Sequence, residues 1–320
     1  MSAAKRRVNV AELVEGLAVE EVFLVKAGAL RETRAGKPYI AGELADATGS
    51  ITMRYWDARP EHAAAFRSGS HVRVRGFVES YQGALQLVVN AFRPVDPGEV
   101  DPAAFLPTTP LDRAELEEGL LELCDSVKDR PLAALLAGFF RDEDFLARFR
   151  QCPAASDYHH AYLGGLLEHT VAVGRSAATF AAAREELDRD LLVAGALLHD
   201  IGKVWELTSG PSFDYTDEGR LIGHIVMGVL EAERRMAAVK DFPAETRRQL
   251  LHLLASHHGL REYGSPVLPA TAEALALHHL DNLDAKVRAA ADAEPQAPGG
   301  AWSDFQKMLG ARVYRRERGE

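Results

Sequence analysis

From about residue 17 to residue 93, apolar residues recur at every second position in short runs, the rhythm of strands with one buried face. The runs are "AVEEVFLVKAG" (18–28), "PYIAGELADATG" (38–49), "SITMRYWDA" (50–58), "SHVRVRGFVES" (70–80) and "ALQLVVNAF" (84–92). Turn residues punctuate them at "RAGK" (34–37), "DATGS" (46–50) and "YQGA" (81–84), where Gly, Asn or Asp can take the backbone angles that a reversal needs. Between the third and fourth runs, "RPEHAAAFRSG" predicts a short helix closed by Gly69. The segment "RPVDPGEVDPAAFLPTTP" (93–110) holds five prolines in eighteen residues and reads as a linker. Beyond it the period lengthens to that of helices, as in "DRAELEEGLLELCDSV" and "AYLGGLLEHTVAVGRSAATFAAA", until "ADAEPQAPGGAWSD" (291–304) interrupts it again. The expected organisation is a β domain at 1–95, a linker at 96–115, an all-α domain at 116–295 and a tail at 296–320.

Five strands with a helix between the third and fourth is the order of an OB-fold barrel. Its strands carry Arg54, Tyr55 and Trp56 on the third, Arg73 and Arg75 on the fourth, and Tyr81 at the last hairpin. Basic grooves with aromatic stacking platforms are how such barrels hold single-stranded nucleic acid. Alternation puts Tyr55 on the face opposite Arg54 and Trp56, so one of those sets fills the core. Charge is divided along the chain. Residues 1–95 hold 13 Lys and Arg against 10 Asp and Glu, whereas the remainder holds 24 against 37. The net charge of −10 argues against wholesale coating of nucleic acid and for two parts with different tasks. No run reaches the roughly 18 uninterrupted apolar residues of a membrane helix, and "MSAAKRRVNVAELVEG" has no apolar segment of a secretory signal. Cys124 and Cys152 are too few for a disulfide framework. A cytoplasmic protein without a membrane partner is expected.

The run "LLVAGALLHDIGKVWEL" (191–207) is apolar enough to be buried, yet it ends in His199, Asp200 and Lys203. Buried charges are very costly unless they are paired or bound to a metal. Ten of the 12 histidines fall between 159 and 279. His169, His199 with Asp200, His224, His257 with His258, and Asp281 stand on five separate predicted helices among small or apolar neighbours. One such histidine is ordinary; five helices doing the same in one domain point to a shared metal site. Imidazole with carboxylate suits manganese, iron, cobalt, nickel or zinc better than calcium or magnesium. Neighbours on a helix diverge by ~100°, so Asp200 is free to reach a second ion while His199 binds a first.

The order H…HD…H…HH…D with "HDIGK" resembles the HD-domain metal-dependent phosphohydrolases. The wider set "HHAYLGGLLEHT", "LLHDIGKVWEL", "YTDEGRLIGHI", "SHHGLREYGSP" and "LHHLDNLDAK" resembles the YhaM family of 3′→5′ exoribonucleases, which join an OB-fold to an HD domain. That resemblance implies one ion held by His169, His199, Asp200 and Asp281. It also implies a second ion, bridged by Asp200 and held by His224 with His257, His258 or both. Manganese is the metal it favours, with iron, cobalt and nickel as alternatives. Asp284, on the same face as Asp281, is a candidate to support the ligands from behind. His159 and His160 are candidates for the pocket mouth or a helix start, and His278 and His279 read as structural.

The resemblance implies hydrolysis of single-stranded RNA from its 3′ end to nucleoside 5′-monophosphates, with single-stranded DNA as a further substrate. Paired ions supply hydroxide and clamp the phosphate oxygens. Lys203 is placed to stabilise negative charge, and Lys286 is a lesser candidate for a phosphate contact. Three other readings compete. One is a phosphohydrolase of free or cyclic nucleotides, for which a strand-binding barrel is superfluous. Another is a di-iron oxygenase, and the third is an RNA-binding protein with a decayed metal site. The tail "WSDFQKMLGARVYRRERGE", apolar and basic, is a candidate for packing on a second subunit in a homo-oligomer.

Overall fold

The computed structural model describes residues 7–106, 108–154, 162–208, 215–293 and 300–315. They form two compact units with a boundary between Thr108 and Thr109. In the first unit, β1 (Ala18–Glu32), β2 (Pro38–Asp46), β3 (Gly49–Trp56), β4 (His71–Tyr81) and β5 (Ala84–Val95) close a barrel in the order β1-β2-β3-β5-β4. All pairings are antiparallel except β3 with β5. The helix between β3 and β4 is a 3-10 helix, Pro60–Phe66. This is the five-stranded OB-fold that the strand rhythm predicts.

Alternation builds the core. On β4, Val72, Val74 and Val78 are buried while Arg73, Arg75 and Phe77 point outward. With Phe23, Val25, Ile40, Leu44, Met53, Phe66 and Leu87 they form one apolar cluster. Gly28 has a steric role: a Cβ there would lie 2.2 Å from the carbonyl oxygen of Phe66, so only glycine lets β1 pass beneath the 3-10 helix.

The proline-rich stretch differs from a free linker. β5 runs on to Val95, and prolines open two 3-10 turns at Pro97–Glu99 and Pro102–Ala104. Phe105 and Leu106 are buried in the barrel unit, the Phe105 ring lying 4.7 Å from His71 with the Arg7 guanidinium 4.3 Å above it. Proline content marks irregular backbone, but burial of the aromatic decides where that backbone lies.

The second unit is helical: α1 (Arg113–Asp125), α2 (Arg130–Phe140), α3 (Glu143–Phe149), α4 (Gly165–Ala182), α5 (Arg189–Leu198), α6 (Lys203–Glu206), α7 (Asp217–Ile222), α8 (His224–Met236), α9 (Ala244–Ser256) and α10 (Ala272–Asp292). Every side chain of α5 from Leu191 to Leu198 is buried, and α5 packs against α4, α9 and α10 around a single core. Asp112, Asp129, Asp142 and Asp188 cap α1, α2, α3 and α5 by accepting hydrogen bonds from first-turn backbone N–H groups. Part of the acidic surplus in this half is therefore structural. The tail contains a separate hairpin, β6 (Trp302–Gln306) with β7 (Ala311–Tyr314). Among the described residues no helix is long and apolar enough to cross a membrane.

Candidate metal centre

Five elements bring their polar residues to one place. His169 stands in α4, His199 caps the C-terminus of α5, Asp200 follows it, His224 opens α8, His257 caps α9 and Asp281 lies within α10. His169, His199, Asp200 and His257 are buried to 2 % exposure or less.

Each imidazole is fixed from behind. The Nδ1 of His199 lies 2.8 Å from the Ala196 carbonyl, that of His257 2.8 Å from the Leu254 carbonyl, and that of His258 2.6 Å from the Tyr263 carbonyl. A carbonyl only accepts, so Nδ1 carries a proton and it is Nε2 that each ring turns inward. Carboxylates hold the other two rings at the same atom: Asp284 lies 2.7 Å from Nδ1 of His169 and Glu206 3.0 Å from Nδ1 of His224. The Glu206 oxygen also accepts the backbone N–H of His224 at 2.8 Å.

The Nε2 atoms converge on Asp200 from two sides. Its Oδ2 lies 3.3 Å from His199 and 3.7 Å from His169, while its Oδ1 lies 3.5 Å from His224 and 3.6 Å from His257. Asp281 is 3.1 Å from Nε2 of His169 and 3.8 Å from that of His199. Among the described residues, two groups have donor atoms close enough to share an ion: His169, His199 and Asp200, and Asp200, His224, His257 and His258.

Asp200 Oδ1 and the Nε2 atoms of His224 and His257 are buried and have no hydrogen-bond partner among the described residues. Unpaired buried polar atoms are costly, and these three face one another. A cation would satisfy all three, so the donor set fits a divalent metal. The nearby titratable groups agree. Burial alone would lower His169, but hydrogen bonds to Asp281 and Asp284 override it and push its pKa up to about 10. Burial would raise Asp200, yet Lys203 and His199 hold its carboxyl well below the usual range. Lys203 Nζ donates to Asp200 Oδ2 at 2.5 Å, and despite the opposing effect of burial its own pKa is raised by that carboxylate. Burial, then the neighbouring His257 and His224, lower His258 to about 3.

Neighbours within a helix diverge by ~100°, but His257 and His258 converge, because α9 ends at Ser256 and His258 lies in the turn beyond; their rings are 4.4 Å apart and both belong to the group around Asp200. Glu206 was missed, and no spacing rule singles it out. Lys286 is exposed on α10, two residues and therefore ~200° around the helix from Asp284. His278 is structural, its Nδ1 2.9 Å from the His257 carbonyl. His159 and His160 lie outside the described residues.

On the barrel, Trp56 is 46 % exposed and its ring lies 5.0 Å from that of Tyr39 on β2. Arg54 shares that outer face. Tyr55 is in phase with buried Met53 and packs among Phe66, Phe92 and His62, so it belongs to the core and not to a strand-binding surface. Arg73 and Arg75 stand on β4, paired with β1 and β5 and apart from the β2–β3 face. Tyr81 is exposed at the end of β4.

A closed OB barrel followed by a helical domain that gathers histidines and aspartates is the architecture of a nucleic-acid-binding module joined to an HD domain. Family comparison agrees: residues 22–95 match the OB-fold nucleic acid binding domain and residues 166–286 match the HD domain, whose members are metal-dependent. The chain is 37 % identical over 273 residues to the 3′-5′ exoribonuclease YhaM of Bacillus velezensis, spanning 85 % of this chain and 86 % of the relative. It is 35 % identical to that of Bacillus subtilis over the same shares. The protein of that name from a Geobacillus species is 32 % identical over 95 % of this chain and 96 % of its own. The chain belongs to the YhaM family of 3′-5′ exoribonucleases.

Proposed function

We propose that this protein is a metal-dependent 3′→5′ exoribonuclease that shortens single-stranded RNA, and single-stranded DNA as a further substrate, to nucleoside 5′-monophosphates. The observation that carries the reading is the division of Asp200, one oxygen toward His169 and His199 and the other toward His224 and His257. A carboxylate placed so is suited to bridge two ions. His169, His199, Asp200 and Asp281 would hold one; Asp200, His224, His257 and His258 would hold the other. Manganese is favoured, with iron, cobalt and nickel as alternatives. Bound there, such ions activate water and neutralise charge on the phosphate.

The chain's own residues then have separable tasks. Glu206 and Asp284 hold the rings of His224 and His169 in the orientation that directs Nε2 inward. Lys203 fixes Asp200 Oδ2 and brings a cation to the place where negative charge grows during phosphodiester hydrolysis. On the barrel, Trp56 and Tyr39 offer stacking surfaces and Arg54 a phosphate partner. Both cysteines are buried and unpaired, which fits a reducing compartment, and a cytoplasmic location is part of this reading. A phosphohydrolase of free nucleotides would have no use for the barrel.

The test incubates metal-stripped protein with 3′- and 5′-labelled single-stranded RNA and DNA, with and without manganese, beside Asp200→Ala. Metal-dependent shortening from the 3′ end, lost in the variant, is expected. If neither polymer shortens with manganese, iron, cobalt or nickel, the reading fails.

A further inference from the structure

Residues beyond 286 lie outside both matched domains, yet the hairpin β6–β7 displays an organised surface. Trp302 pairs directly with Tyr314, and Phe305 with Arg312. Residues opposite one another share a face, as do Arg312 and Tyr314, two apart on β7. All four therefore stand on one side. Trp302, Phe305 and Tyr314 are 53 %, 59 % and 59 % exposed, and Arg312 is exposed beside them. The other side is turned inward: Ser303 is fully buried, and its hydroxyl accepts the backbone N–H of Val313 at 3.0 Å. The Trp302 and Tyr314 rings lie 5.1 Å apart.

We propose that this face is a second binding site for single-stranded RNA, in which bases stack on Trp302, Phe305 and Tyr314 while Arg312 meets the phosphates. The proposal rests on the nuclease reading for its choice of polymer. Rings interleaved with a cation on an open sheet face are what sequence-tolerant strand binding uses. Charge agrees: from Trp302 onward the sequence carries Lys307, Arg312, Arg315, Arg316 and Arg318 against Asp304, Glu317 and Glu320, a basic end on an otherwise acidic half. A second copy of the chain is the poorer occupant. A stable dimer needs about 800 Å² from each partner, whereas three rings of roughly 150–250 Å² each, only about half exposed, supply well under that.

The position is useful. The hairpin follows α10, which carries Asp281 and Asp284, and Arg315 ties it to the end of that helix through the Ala293 carbonyl at 3.3 Å. Asp281 lies eleven residues before the last residue of α10, about 17 Å at 1.5 Å per residue. The rings thus stand on an element tied to the end of the helix that carries Asp281 and Asp284.

The experiment uses the full chain in EDTA, so that RNA is bound without being cut, and follows the anisotropy of a labelled short single strand. Replacing both rings, Trp302→Ala with Tyr314→Ala, is expected to weaken binding by about tenfold or more, while Trp302→Phe with Tyr314→Phe stays within about threefold of the parent. Ultraviolet crosslinking of the unmodified protein should leave nucleotide adducts on the peptide spanning Trp302 to Tyr314. Unchanged affinity in the alanine pair, or crosslinks confined to residues 22–95, overturns the proposal. So does light scattering that shows the alanine pair splitting an oligomer, because the face is then an interface between copies. Manganese-dependent RNA shortening by the unmodified protein is scored separately, so the nuclease reading and the hairpin site stand or fall on different results.

Discussion

A Cβ on Gly202 would stand 1.9 Å from the carbonyl oxygen of His224 and 2.7 Å from the backbone nitrogen of Gly228. The glycine of "HDIGK" therefore sets how closely the turn after Asp200 approaches the first turn of α8, and through it the distance from Asp200 to His224. Backbone atoms have no rotamer in which to retreat. Gly202→Ala should cost on the order of 1–3 kcal/mol in overpacking and displace His224 from Asp200. Thermal melts with and without manganese test this: the variant should melt lower and lose most of the metal-induced rise. An unchanged rise would show that the approach does not set the site.

Glu206 secures His224 twice, at the ring and at the backbone, and burial does not prevent that histidine from holding its carboxyl below the usual range. Loss of a partner that orients a metal ligand commonly costs 10–100-fold in affinity. Glu206→Ala should weaken manganese binding by about that factor in a calorimetric titration, and Glu206→Gln, which keeps an acceptor oxygen, by less. Equal affinities for all three proteins would remove Glu206 from the site.

Both domains were legible because their rhythms differ, and the candidate ligands because the histidines of "EHT", "HDIGK", "IGHI" and "SHHG" sit among side chains that cannot themselves explain a buried polar group. The failures have local causes. His257 and His258 converge because a helix ends between Ser256 and His258, and the end of a helix is poorly marked when no proline or glycine falls on it; here Gly259 comes one residue later. Alternation separated Tyr55 from Trp56 without saying which was inside; the buried phase of Ile51 and Met53 decides it. Phe105 was lost among prolines. Glu206 is one acidic residue among many, and only coordinates reveal what it holds.

Metal binding should release a proton. In the metal-free chain His169, with its pKa pushed up to about 10 by Asp281 and Asp284 against the lowering effect of burial, is protonated at neutral pH. A ligand must present its Nε2 lone pair, so the proton leaves when the ion arrives. Since the ion binds the deprotonated form, affinity rises with pH up to about 10 and falls by roughly tenfold for each unit below it, for a single proton. His258, at about 3, is already neutral and adds none. Manganese titrations near pH 7 in two buffers of different ionisation heat should differ by an amount equal to about one proton per chain. Identical heats in both would mean that His169 is not displaced from a protonated state.

Adjacent residues of β3 face opposite sides of the barrel wall. Trp56 is exposed against Tyr39 on the β2–β3 face, whereas Tyr55 is packed among Phe66, Phe92 and His62. Base stacking on a ring is worth ~1–3 kcal/mol, so Trp56→Ala should weaken single-strand binding by roughly five- to a hundredfold and leave the melting temperature nearly unchanged. Tyr55→Ala removes core packing instead and should cost on the order of 3 kcal/mol of barrel stability. Tyr55→Phe keeps the ring contacts and should restore most of that stability. Anisotropy with labelled RNA, set beside denaturant unfolding of the same variants, distinguishes the two residues. If Trp56→Ala unfolded the barrel while Tyr55→Ala impaired only binding, the assignment of inner and outer faces on β3 would be reversed.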